Sequence, residues 1–169
     1  GVDSLMNLPD SYLENIEYIR LPDSPSNPCA DETLLHMFEA KSPGYICEKH
    51  GQWKCPQRIT ETEQFLTFDM DELTAENGWI IAIESGSQYA ESAFVNITKK
   101  NNISLADGDQ ASFTIWGCQG AHINKLFGMI QNGNWHVVVT AHEIEVQNPD
   151  KSKKLTASIG TRKVAANFG

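Results

Sequence analysis

Apolar and polar residues alternate through much of the second half of the chain. Leu66, Phe68 and Met70 alternate with polar neighbours, and Trp79, Ile81 and Ile83 follow the same rhythm. Ala93, Val95 and Ile97 form a third such run, and Ala111, Phe113 and Ile115 a fourth. Period-two alternation with β-branched and aromatic residues predicts half-buried strands. Asp107-Gly108-Asp109 predicts a turn. Asn132-Gly133 predicts a hairpin between Ile123–Gln131 and Trp135–Gln147, because Asn and Gly tolerate the positive φ of a type I′ turn. Asn148-Pro149-Asp150 turns the chain into Leu155–Ile159, and a weaker strand lies near Val164.

The front of the chain has another rhythm. Ser11-Tyr12-Leu13-Glu14 fits a capping box at a helix start, with Leu13 and Ile16 on its apolar stripe. The prolines at 22, 25 and 28 impose an extended loop. Asp31 to Lys41 places Leu34, Leu35 and Phe38 at helical spacing, with Asp31 and Glu32 at the positive end.

The expected fold is therefore mainly β. It is an antiparallel sandwich or barrel of about seven to eight strands, with one or two short N-terminal helices packed on it; α+β is the alternative. The 169 residues form a single domain, 1–169. Within it, 1–63 is a helical and irregular front segment held by disulfides, and 64–169 is an antiparallel β body.

Charge narrows the partners. The chain carries net −9, and residues 1–78 hold 15 acidic and 5 basic side chains. Such a surface disfavours nucleic acid and anionic membrane, and suits a basic protein. No apolar run has the roughly 20 residues needed to span a bilayer, so no membrane insertion is expected. Gly1-Val2-Asp3-Ser4 carries neither the basic nor the apolar stretch of a leader.

Cys29, Cys47, Cys55 and Cys118 suggest two disulfides and hence a secreted or periplasmic location. Cys47–Cys55 across His50-Gly51, with Cys29–Cys118 tying front to body, is one of three pairings. Cys29, Cys47, His50 and Cys55 as zinc ligands are the competing arrangement, but they lack paired Cys-x-x-Cys knuckles, so no metal or cofactor is expected.

Catalytic signatures fail in turn. His142-Glu143 has Val146 where a zinc-protease helix needs its second histidine. Glu84-Ser85-Gly86-Ser87 lacks the nucleophile-elbow glycines and reads as a flexible turn. No glycine-rich phosphate loop is present. A hydrolase using His122, His136 or His142 is the weakest candidate.

Ligand-binding candidates are Trp53, Trp135, Asp107, Asp109 and Asn134. Exposed indoles stack on sugar rings, and Trp79 and Trp116 are expected in the core. Asn96-Ile97-Thr98 and Asn102-Ile103-Ser104 are glycosylation sequons. The function expected from residues alone is a non-catalytic binding protein of inhibitor, immunity or host-interaction type. A lectin-like, glycan-binding module is the alternative.

Overall fold

In a computed structural model of the chain, the two longest elements are helices where strands were expected. The structure describes residues 8–21, 23, 28–39, 44–48, 51, 53, 65–104, 108–147 and 150–160. In chain order the elements are α1 (Asp10–Leu13), α2 (Ala30–Glu39), β1 (Gly44–Cys47), β2 (Phe65–Phe68), β3 (Ile80–Ile83), α3 (Gly86–Lys100), α4 (Phe113–Asn132), β4 (His136–Val139), β5 (Glu143–Gln147) and β6 (Lys153–Ala157).

The sandwich or barrel is thereby overturned. Among the described residues the six strands form three separate two-stranded sheets: β1–β2 antiparallel, β3–β4 parallel and β5–β6 antiparallel. The expected strands around Ala93–Ile97, Ala111–Ile115 and Ile123–Gln131 lie wholly or largely within α3 and α4. Their buried positions explain why. Tyr89, Ala90, Ala93 and Asn96 face inward from α3, and Ile115, Gln119, Ile123 and Leu126 from α4. Those are helical intervals of three and four. Ser85 and Ser112 cap the two helices, accepting from the Gln88 and Ile115 N–H groups.

Asn132-Gly133 ends α4 and is not a hairpin. Gly133 has φ −91°, so positive φ is not what requires glycine. A Cβ there would overlap the Trp135 ring. The expected strand Trp135–Gln147 splits at Thr140–His142 into β4 and β5, which pair with different partners. Near the front, α2 forms as its stripe predicts. The capping box before it does not: α1 has Pro9 at its cap, without a side-chain bond. Val164 lies outside the described residues.

The core joins Leu34, Leu35 and Phe38 of α2, Ile46 of β1, Met70, Ile83 of β3, Tyr89 and Ala90 of α3, Ile123 and Leu126 of α4, and Ile159. The chain leaves β3, packs α3 and α4 on one face of the sheet, and returns through β4 in the same direction. Ile83 and Val139 pair at the carboxyl ends and face this core. On the other face Ile80 is 66% exposed and Val138 53%.

The expected disulfide framework is overturned as well. No disulfide joins any two of Cys29, Cys47 and Cys118, and Cys118 lies exposed on α4. Cys55 and His50 lie outside the described residues. The sulfur-based case for an oxidising compartment thus loses its footing among the described cysteines. No described helix is long and apolar enough to cross a membrane.

Ile123 is fully buried where α4 meets the rest of the core. Ile123→Ala should lower unfolding free energy by about 2–4 kcal/mol. Urea denaturation followed by far-ultraviolet circular dichroism measures this loss.

Candidate functional site

Two places gather polar chemistry. The first is the start of α2. Thr33 N–H donates to the Cys29 carbonyl, which sets Asp31 in the first turn, where the helix dipole favours an anion. Asp31 is 0% exposed. The Asn96 amide donates to both its oxygens, at 3.2 and 3.1 Å. The Ser92 hydroxyl donates to Oδ1 at 3.4 Å and accepts from the Asp31 N–H at 3.2 Å. From α4, His122 Nε2 lies 3.1 Å from Oδ2. That contact is close but poorly aligned as a hydrogen bond. Tyr89 stacks on the His122 ring, with centroids 5.9 Å apart.

Burial opposes the Asp31 charge most strongly. His122 and Asn96 outweigh it, and the carboxyl is held below its ordinary value. Cys29 goes the other way. Burial first, then Asp23, Asp31 and Glu32, push its thiol up to about 11. A nucleophilic cysteine needs the opposite shift. The Cys29 S–H donates to the Gly51 carbonyl at 3.9 Å, and Thr33 Oγ1 donates to the same oxygen at 2.9 Å. Ser92 is buried too, so the hydroxyl that touches Asp31 is not an accessible one. The cluster clamps helices together.

The second place is the carboxyl edge of the parallel pair. The Thr140 N–H donates to the Ile83 carbonyl at 3.1 Å, and the Gly86 N–H to the Thr140 carbonyl at 2.7 Å. Ser85 caps α3, and Glu84 beside it is exposed. The Ser87 hydroxyl donates to the Ser158 carbonyl at 2.7 Å and accepts from the His142 N–H at 2.9 Å. Ser158 N–H closes the ring of contacts on the His142 carbonyl at 2.6 Å. Gly86 is required by close approach: a Cβ would stand 2.9 Å from Val139 Cγ1 and 3.2 Å from Ile159 Cδ1. The stretch expected to be a flexible turn is a fixed strand-to-helix junction. Ser85-x-x-Gln88 is the capping signal that marks it.

The other candidate residues scatter. Trp53 is half-buried, edge-on to Phe68 at 5.6 Å and stacked with His36 at 6.2 Å. Trp135 is half-buried, edge-on to Phe38 at 5.2 Å, and its indole N–H donates to the Met70 carbonyl at 3.0 Å. Trp79 and Trp116, expected inside, are exposed. Asn134 is exposed, and its carbonyl accepts from the Ala75 N–H. Asp109 is exposed and accepts from the Ser104 N–H, while Asp107 lies outside the described residues. Asn96 is buried against Asp31; Asn102 is exposed. His136 and His142 are exposed. Among the described residues no three His, Cys, Asp or Glu side chains gather as metal ligands.

Comparison with protein-family models, curated proteins and solved structures gives no match to this chain.

The Asp31 shift carries a pH dependence. Its folded pKa lies below the unfolded one, so its stabilisation is present above the ordinary carboxyl value of about 4 and is lost as pH falls through the folded value. Thermal unfolding of wild type should therefore steepen below about pH 4. Asp31→Asn should flatten that fall while costing about 2–4 kcal/mol at neutral pH, since Ser92, Asn96 and His122 lose the carboxylate they surround.

Proposed function

We propose that this chain is an α/β ligand-binding unit that takes a phosphorylated small molecule, of nucleotide type, with its divalent cation at the carboxyl edge of β3–β4. One observation carries the reading. The two parallel strands end side by side, joined through Gly86 and Thr140, at the start of the 15-residue helix α3, with Glu84 exposed beside them.

Ligands of open α/β sheets sit outside the carboxyl ends of the strands, beside a helix N-terminus. The positive end of α3 attracts an anion. Glu84 carries a charge of the same sign as phosphate. A magnesium ion reverses this, because it is typically bound by one or two carboxylates together with phosphate oxygens. A strand-end carboxylate plays this part in phosphoryl-transfer proteins. The sequence has no glycine-rich phosphate loop, so the cation on Glu84 carries the main share of the binding. Ser87 and His142, linked by their hydrogen bond, form the neighbouring rim.

The inhibitor-type and glycan-binding expectations each lose one of their supports. The three described cysteines form no framework with one another, and Trp53 and Trp135 pack into the protein rather than forming a stacking platform. The hydrolase expectation gains a histidine–carboxylate pair, but in a closed helix junction.

Calorimetric titration with adenosine triphosphate, with and without magnesium, tests the reading. Binding should require magnesium and weaken about tenfold or more in Glu84→Gln, a loss of at least ~1.4 kcal/mol, with the melting temperature unchanged. Absence of binding, or magnesium-independent binding indifferent to Glu84, would overturn it.

A further inference from the structure

At the opposite end of β4, its amino end, lies a cavity of about 260 Å³. Phe38, Met70 and Trp135 give it an apolar wall. Among the described residues Glu39 and Asp71 supply its charges, and both are exposed. Thr74 and Asn134 complete the described lining, in which no basic side chain takes part. We propose that this cavity binds a small organic cation, a primary ammonium on an aryl or short alkyl body.

The walls are held before any ligand arrives. The Trp135 indole N–H is fixed on the Met70 carbonyl, and the Ala75 N–H on the Asn134 carbonyl at 2.9 Å. Phe38 sits edge-on to the indole. These contacts tie the 69–78 turn to the segment before β4, so little ordering cost falls on binding. The apolar wall takes a hydrocarbon body, and a few placed polar groups set orientation.

Charge selects the other end of the ligand. Glu39 is held ionised by its contact with Lys125, assisted by His36. Part of its field is thus already balanced. Asp71 has its backbone N–H bonded to the Asp69 carboxylate at 2.9 Å, which fixes the turn that carries it. Its carboxylate is therefore the main recognition group for an ammonium. The surplus of acidic side chains in residues 1–78 adds a long-range attraction of the same sign. An anionic ligand would meet two carboxylates, and a neutral one would leave the ammonium position to water.

The site is independent of the carboxyl edge, so the two proposals stand or fall separately. Benzylammonium is the probe, with benzyl alcohol and benzoate as neutral and anionic counterparts, followed by amide and indole resonances in nitrogen-15 spectra. Benzylammonium should bind saturably at about millimolar concentration, as suits so few heavy atoms. It should shift the Trp135 indole and Asp71 amide signals. Benzyl alcohol should bind about tenfold more weakly and benzoate not measurably, since charge decides the difference. Asp71→Asn, a surface change, should erase the preference for the cation over the alcohol, and Asp71→Glu should restore most of it. Equal binding of all three probes, unsaturable shifts, or a cation preference that survives Asp71→Asn would overturn the proposal.

Discussion

One buried carboxylate holds three helices in register. Asp31 sits at the start of α2, takes its hydrogen bonds from Ser92 and Asn96 of α3, and faces His122 of α4. A lone buried anion costs several kcal/mol, and only close partners offset that cost. The geometry is therefore demanding: moving any of the three helices removes a partner from a charge with no access to water. Apolar packing of Leu35, Phe38, Ile123 and Leu126 supplies much of the driving force. It tolerates sliding in a way the carboxylate does not. Hydrophobic burial brings α2, α3 and α4 together, and Asp31 selects one arrangement of them.

That arrangement decides what the strands can do. A two-stranded parallel pair has little stability of its own, and parallel sheets are normally covered on both faces. Among the described residues β3 and β4 are covered on one. Ile81, Ile83, Val137 and Val139 lean on the helical core, while Ile80 and Val138 face outward. The pair is held by the helices between its strands more than by its own ladder. The carboxyl edge is then fixed by short contacts that leave no slack: Gly86 against Val139 and Ile159, and Ser87 between His142 and Ser158.

Some of this was legible in the residues. Leu34, Leu35 and Phe38 announce α2 because its inward side is mostly apolar. Ile81 and Ile83 announce β3. The helices α3 and α4 were hidden because their inward positions include Ser92, Asn96 and Gln119, polar residues that interrupt an apolar stripe. Val95, Ile97 and Ile115 added β-branched residues that alternate locally, and tertiary packing overrides such preferences. Better signals were the caps, Ser85 three residues before Gln88 and Ser112 before the run at Ile115. Asn132-Gly133 misled because a strong hairpin dipeptide also suits a helix end. The Asp31–His122 contact joins residues far apart in sequence, with no local motif to mark it.

The cysteines show how burial and chemistry separate. Four cysteines in a chain of this length suggest staples, yet Cys29 and Cys47 are buried without a bond between them and Cys118 lies exposed on a helix. Cys29 occupies the cap of α2, a place where a helix dipole would lower a thiol's pKa. Burial and the carboxylates of Asp23, Asp31 and Glu32 act against the dipole and win. Burial, with Asp23 and then Asp31 adding to it, thus holds the Cys29 thiol up, and the carboxylate that organises the helices contributes to that. Structure at this junction takes precedence over chemistry, and the exposed polar groups where chemistry has room lie elsewhere, at the two ends of β4.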